Sequence, residues 1–150
     1  MTFKNAINHF NSLLAETSKK PEIKLYKQFI RIITSLEQRN LSAAEIQAME
    51  VELDALELDP AAAKSKKYYK RALNHFRKYL KDTFSLTTKG YYTNIGIGLG
   101  LSFGTLVGII LLSDLERSLG ISLGTLIGFL IGLIMGRRLD DQAEALGKMV

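Results

Sequence analysis

Apolar side chains in residues 1–86 recur every three or four positions, the spacing that places them on one face of an α-helix. They form four stripes: Phe3, Ile7, Phe10 and Leu14; Ile23, Tyr26, Ile30, Ile33 and Leu36; Ile46, Met49, Leu53 and Leu56; Tyr69, Leu73, Phe76 and Leu80. Ser42, with Glu45 three residues later, fits a capping box at the start of the third helix. Pro21 and Pro60 suit the first turns of the second and fourth helices. The pattern predicts about four amphipathic helices whose apolar faces form the core of a bundle.

Two runs without a charged residue follow, residues 91–112 and 119–136. As helices at about 1.5 Å per residue they would measure about 33 and about 27 Å, against a bilayer hydrocarbon core of roughly 30 Å. The charged segment 113–118 between them is predicted to be a turn. The predicted fold is all-α and has four parts: an N-terminal cytosolic helical bundle at 1–86, a linker at 87–90, a transmembrane helical hairpin at 91–136 and a cytosolic tail at 137–150.

Composition agrees with this pattern and narrows the chemistry. Hydrophobic residues make up 47% of the chain, which is more than a small soluble domain needs. The absence of cysteine excludes a disulfide scaffold, a thiol nucleophile and a thiolate-ligated metal. His9 and His75 stand far apart without a carboxylate pattern that would indicate a metal site or a hydrolytic triad. We therefore expect no enzymatic activity, no catalytic residue, no metal site and no cofactor.

Charge divides between the third and fourth predicted helices. Residues 42–59 carry six acids and no base, whereas residues 64–81 carry eight bases and no acid. The candidate headgroup-binding or polyanion-binding bases are Lys64, Lys66, Lys67, Lys70, Arg71, Arg77, Lys78 and Lys81, with Arg137 and Arg138 at the end of the second span. Opposite charges on successive helices favour their antiparallel pairing by a modest, screened amount.

The basic helix lies close to a membrane span, so anionic lipid headgroups are its favoured partner, at roughly 1 kcal/mol per basic residue near the surface. Four aromatic residues interleave with the bases: Tyr68, Tyr69, Phe76 and Tyr79. This mixture is also typical of surfaces that bind nucleic acid or a nucleotide, which we regard as the less favoured partner. The apolar stripes do not identify a protein partner for the cytosolic helices.

Ten of the twelve glycines lie in the two predicted spans, and nine of them fall at strict four-residue intervals. The nine are Gly96, Gly100, Gly104 and Gly108 in the first span and Gly120, Gly124, Gly128, Gly132 and Gly136 in the second. Small residues at this spacing let helix backbones pack closely where no hydrophobic drive exists. If the chain turns at Glu116, Gly100 faces Gly132 and Gly104 faces Gly128 at equal depth. Packing within one hairpin and packing between chains both remain open.

Matching sequences, GLSFGTLVG at 100–108 and GISLGTLIG at 120–128, place four hydroxyl groups in equivalent contexts. These belong to Ser102, Thr105, Ser122 and Thr125. Such hydroxyls can bond back to the preceding turn, bridge two helices or line a wet path. They are candidate pore-lining or interhelical residues.

By architecture, the repeated GxxxG pattern of residues 91–136 resembles the glycine-zipper helices of small bacterial channels and of rotor-ring hairpins. This resemblance implies a homo-oligomeric ring of hairpins in the membrane and is specific to packing rather than to activity. A rotor ring also requires an ion-binding carboxylate near mid-membrane. Ile127, Gly128 and Phe129 stand there instead, so ion-driven rotation is excluded.

Lysine and arginine outnumber acids at the outer ends of the hairpin, whereas the turn has Arg117 beside two acids. Residues 1–20 lack the uninterrupted apolar core of a signal peptide. By the positive-inside rule we expect both termini in the cytoplasm, with the hairpin in a bacterial inner membrane.

Three functions fit this organisation. The leading hypothesis is a homo-oligomeric pore or channel-like assembly, regulated by the cytosolic helices, of which a membrane-permeabilising effector would be one form. The alternative is a non-conducting membrane anchor or scaffold for a cytosolic helical docking domain. A third hypothesis makes the basic helix a receptor for a soluble polyanionic ligand that switches the membrane part.

Overall fold

The computed structural model describes residues 1–58, 65–111 and 117–150. Six helices occupy these ranges: α1 (Phe3–Glu16), α2 (Lys20–Glu37), α3 (Ala43–Ala55), α4 (Lys66–Phe84), α5 (Tyr91–Leu111) and α6 (Arg117–Ala145). They divide into two compact units, Met1–Leu86 and Thr87–Met149. The predicted all-α class is confirmed, with about four helices followed by two long apolar helices.

Local chemistry explains where the helices of the first unit begin. The predicted capping box of α3 is present: Ser42 N donates to Glu45 Oε2 at 2.8 Å, and Glu45 N donates to Ser42 Oγ at 3.3 Å. Pro21 occupies the first turn of α2, as predicted, where its missing N–H costs no helical hydrogen bond. Pro60, expected in the first turn of the fourth helix, lies outside the described residues.

The core of the first unit is rich in stacked aromatic rings. Phe10 of α1 and Phe29 of α2 are fully buried, and their rings stack at 4.2 Å between centroids. Tyr69 of α4 meets Tyr26 of α2 edge-on at 5.4 Å. The predicted stripes supply most of the remaining buried side chains: Phe3, Ile33, Leu36, Met49, Leu53, Leu56, Leu73, Phe76 and Leu80. Packing of these amphipathic faces, rather than helix propensity, holds the bundle together.

The second unit is an antiparallel pair formed by α5 and α6. Gly90, with φ of +79°, precedes α5 in a conformation that glycine adopts at little cost. The predicted first span agrees closely with α5. The helix α6 continues past the second apolar run, through Arg137 and Arg138, to Ala145. Much of the segment 137–150 is therefore a continuation of this helix. Most of the predicted turn, residues 113–116, lies outside the described residues.

Candidate functional site

The helices α5 and α6 are long and apolar enough to cross a membrane. The candidate spans are Tyr91–Ile110 and Ser118–Ala145, and the most apolar 18 residues within them have mean hydropathies of 1.6 and 2.1. Large apolar side chains on both helices point outward, including Phe103 at 63% exposed and Met135 at 60% exposed. Such a continuous apolar surface needs apolar surroundings or a partner. These features are those of a hairpin suited to a bilayer.

Glycines of α5 pack directly on glycines of α6, and we call this contact the glycine interface. A Cβ atom built on Gly104 would lie 2.8 Å from Gly128 Cα, and one on Gly124 would lie 2.5 Å from Gly108 Cα. Each would lie closer still to a carbonyl oxygen of the facing helix. Carbon atoms in ordinary contact are about 3.5–4.0 Å apart. The two backbones are thus too close for even an alanine side chain.

The glycine interface interleaves its residues rather than opposing them one to one. Gly100 meets Gly132, its expected partner, through a Cα atom 3.1 Å from the built Cβ, but it also meets the carbonyl oxygen of Gly128. Gly104 likewise meets its expected partner Gly128 together with the carbonyl oxygen of Gly124. Gly100 and Gly104 therefore each lie between two glycines of α6. This geometry aims glycine Hα atoms at carbonyl oxygens, an arrangement of weak hydrogen bonds that recurs between closely packed helices.

Glycines near the ends of both helices also belong to the glycine interface. Gly108 meets the carbonyl group of Gly120, and Gly96 meets Gly132 and Gly136. Gly136 itself packs against Thr93, whose Cα lies 2.5 Å from a Cβ built on the glycine. All nine predicted glycines therefore take part in contacts between α5 and α6. Gly98, which falls outside the four-residue spacing, differs because a Cβ built there meets no described atom within 4 Å.

The four candidate hydroxyl groups are hydrogen-bonded inside the hairpin. Ser102 and Ser122 donate to the carbonyl oxygen four residues earlier, at 3.0 and 2.8 Å. Thr105 Oγ1 and Thr125 Oγ1 lie 2.8 Å apart, and each also lies within 2.8 Å of the carbonyl oxygen four residues earlier. Because each hydroxyl has one hydrogen, one of the two threonines donates across to the other, which donates to its own helix. These hydroxyls therefore need no water to satisfy their polar atoms.

Asp140 is a polar contact that the sequence analysis missed. Its carboxylate is buried and accepts hydrogen bonds from Tyr92 N at 3.0 Å, Thr93 N at 3.0 Å and Thr93 Oγ1 at 2.6 Å. Tyr92 and Thr93 lie in the first turn of α5, where backbone N–H groups have no partner within the helix and negative charge is favourable. A carboxylate from α6 thus caps the N-terminus of α5. In the sequence, one of two adjacent aspartates in a charged segment gives no signal for this role.

Three of the described basic residues of α4 border a groove, and the others do not. Lys66, Lys70 and Arg77 border a groove between α4 and α2. The others within α4 are exposed elsewhere on the helix: Lys67, Arg71, Lys78 and Lys81. Lys64 lies outside the described residues, and Arg137 and Arg138 are exposed on α6 in the second unit.

The acidic helix α3 and the basic helix α4 run antiparallel in the bundle. Tyr68 donates to the carbonyl oxygen of Leu56, and Tyr79, further along α4, donates to that of Ala48 at 3.4 Å. Between these contacts, His75 Nδ1 lies 3.1 Å from Glu52 Oε1. The packing of α3 on α4 therefore uses tyrosine hydroxyls and a histidine.

Comparison with protein family models, with curated proteins and with solved structures gives no match to this chain. The likeness of residues 91–136 to glycine-zipper proteins is therefore one of sequence pattern alone. The function is inferred from the hairpin and the bundle themselves.

Proposed function

We propose that the protein is an integral membrane protein in which α5 and α6 form a self-contained, non-conducting anchor for the helical bundle of residues 1–86. The glycine interface carries this proposal. A ring of hairpins would need small-residue faces to be available between chains. Here Gly100, Gly104 and Gly128 are already covered within one chain by the facing helix.

The hydroxyl groups support the same function. A water-filled path needs polar groups that face water, but Ser102 and Ser122 each bond back to a backbone carbonyl of their own helix. Thr105 and Thr125 bond to each other across the hairpin. Hydroxyls satisfied in this way are compatible with surrounding hydrocarbon.

The charged residues support an orientation. Lys89, Arg137, Arg138 and Lys148 belong to the end of the hairpin where α5 begins and α6 ends. Under the positive-inside rule this end faces the cytoplasm, which places the bundle on the cytoplasmic face of a bacterial inner membrane. There the exposed bases of α4 would meet anionic lipid headgroups, and the bundle would dock a protein partner.

A homo-oligomeric pore regulated by the bundle is the second candidate, and Gly98 favours it. Because nothing described lies near a Cβ built on Gly98, α5 has a small residue on an open face. A helix of a second hairpin could approach closely there. An effector that permeabilises its own membrane would be one such assembly.

Cross-linking and conductance together decide between the two functions. The chain has no cysteine, so Thr105→Cys with Thr125→Cys introduces one defined pair. The two hydroxyls are 2.8 Å apart, which brings the new thiols within reach of a disulfide. The anchor predicts that oxidation in detergent gives an internally bridged monomer, confirmed by light scattering. It also predicts that the unmodified protein is silent in planar bilayers.

The single variant Thr105→Cys is the control, and it should give no disulfide-linked dimer. Two results together would overturn the anchor hypothesis and support the pore. The protein would form defined oligomers that conduct, and Gly98→Leu would abolish that conductance. In that case the exposed face of α5, rather than the glycine interface, would hold the chains together.

A further inference from the structure

A groove of about 330 Å³ lies between α2 and α4 of the bundle. Four basic side chains border it: Lys24 from α2, and Lys66, Lys70 and Arg77 from α4. Small-molecule sites begin at about this volume. The groove therefore combines the size of a small-ligand site with four positive charges.

Apolar and amide side chains also line the groove. The buried side chains of Leu25 and Leu73 contribute to its walls, and Gln28 and Asn74 add amide groups. Cationic groups can hold an anion while the apolar wall contacts the rest of the same molecule. Six of the nine lining residues are polar or charged, so the groove suits a strongly polar, anionic ligand.

The helices that form the groove run in the same direction. Tyr69 of α4 contacts Tyr26 of α2, and further along both helices Arg77 Nη2 donates to Gln28 Oε1 at 3.3 Å. Both N-termini therefore lie at the end of the groove that Lys66 borders. Helix N-termini carry partial positive charge, which adds to that of the side chains.

The carboxylate of Glu22 acts on this end of the groove, and it is already engaged. It accepts a hydrogen bond from the Thr17 hydroxyl at 2.7 Å and lies 3.6 Å from Lys19 Nζ. The Thr17 hydrogen bond is the largest influence lowering the pKa of Glu22, and the charge of Lys66 is the smallest. Glu22 therefore offsets the positive charge of the groove only in part.

Among the described residues, Arg77 in the groove has no carboxylate partner. Its Nε atom is buried and has no hydrogen-bond partner among the described residues, and burial lowers the pKa of the guanidinium. Across residues 1–58, 65–111 and 117–150, no ion pair joins Arg77 to a carboxylate. A partly buried cation without a counter-ion is unfavourable until an anion approaches it.

We infer that this groove binds a small molecule bearing a phosphate group. Guanidinium and ammonium groups converging from two sides match the several oxygens and multiple negative charges of a phosphate. The phosphate can belong to a soluble metabolite or to the headgroup of a phospholipid. The site lies wholly within the bundle and does not depend on whether the hairpin is an anchor or a pore.

Calorimetry on the full chain in detergent, with inorganic pyrophosphate as the probe, tests the site. The groove variant is Lys24→Ala with Lys70→Ala, because both side chains are exposed and folding should survive. The matched control, Lys67→Ala with Lys78→Ala, removes the same charge from parts of α4 that do not line the groove. We expect about tenfold weaker binding or more in the groove variant and a change below about twofold in the control.

Lysine methylation in nanodiscs, read by mass spectrometry, identifies the source of the phosphate. A soluble source predicts that Lys24 and Lys70 are protected when pyrophosphate is added to discs of phosphatidylcholine. A headgroup source predicts the same protection in discs containing phosphatidylglycerol without pyrophosphate, with Lys24 and Lys70 protected more strongly than Lys67. Absence of binding and of protection would overturn the inference. Equal weakening in both double variants would also overturn it, because it would indicate diffuse surface charge.

Discussion

Asp140 accepts a hydrogen bond of 2.6 Å from the hydroxyl of Thr93, a residue 47 positions earlier in the chain. The bond joins the first turn of α5 to the last part of α6. The same carboxylate also accepts the backbone N–H groups of Tyr92 and Thr93. One side chain therefore links α5 and α6 by hydrogen bonds at the open end of the hairpin.

Asp140→Ala should loosen that end. It leaves partly buried donors at the start of α5 without an acceptor, a loss of about 1–3 kcal/mol. Hydrogen exchange of the Tyr92 and Thr93 amides, followed by mass spectrometry, should accelerate by about ten- to a hundredfold. Asp141→Ala removes the exposed carboxylate of the neighbouring residue and should leave the exchange rates of these amides unchanged. Equal protection in both variants would show that the cap does not hold α5.

Gly128→Ala should disturb the packing of α5 on α6, whereas Gly98→Ala should not. The first inserts a methyl group into a contact where a Cβ lies 2.6 Å from Gly104 Cα, and such overpacking costs about 1–3 kcal/mol. The second adds a methyl group in open space, where alanine has a better helix propensity than glycine by about 1 kcal/mol.

Spin labels at Ile95→Cys and Met135→Cys measure this effect, because both positions are exposed and the chain has no other cysteine. We expect Gly128→Ala to lengthen or broaden the distance distribution and Gly98→Ala to leave it unchanged. An unchanged distribution in Gly128→Ala would mean that the helices do not pack at this distance.

Phe10→Ala should destabilise the bundle more than any surface change. The ring is fully buried and stacks on Phe29, and removal of such a ring typically costs about 3–5 kcal/mol. Urea unfolding of the full chain in detergent, followed by circular dichroism, should show an earlier transition for the bundle. Val51→Ala, at a side chain that is 63% exposed, is the control and should shift the transition little.

The start of α3 should weaken in acid. Hydrogen bonds from the Ser42 side chain and backbone N–H lower the pKa of Glu45 below its ordinary value. A carboxylate with a lowered folded-state pKa contributes stability above its unfolded pKa and loses it as the pH falls through the folded pKa. Thermal unfolding of Glu45→Gln should therefore depend less on pH below about 5 than that of the parent chain. The same dependence in both proteins would contradict this role of the capping box.

Elements whose signal is local could be predicted from the sequence. The periodic stripe that contains Tyr69 and Leu73 places them in the core because a helix repeats every 3.6 residues. Pro21 and the Ser42–Glu45 pair mark helix starts through contacts made within a few residues. The long run without charged residues likewise located α5, because a helix that spans a bilayer needs about 20 mostly apolar residues.

Features that depend on two elements together could not be predicted in this way. The four-residue glycine spacing identified the packing faces, but the interleaving of Gly100 between Gly128 and Gly132 depends on how two surfaces fit. The end of α6 does not follow from the apolar run, because Arg137 marks the limit of the apolar sequence, not of the helix. Lys24 was missed because the charges were considered one helix at a time, whereas the groove needs both α2 and α4.

The glycine interface also restricts how a damaged hairpin can be repaired. In most cores, a residue that becomes too large can be accommodated when a neighbour becomes smaller. A methyl group added at Gly100 would meet the backbone of Gly128 and Gly132, and neither of these residues can lose a side chain. In a selection for second-site revertants of Gly100→Ala, compensating changes should therefore arise outside the interface, at positions that let α5 and α6 separate or tilt.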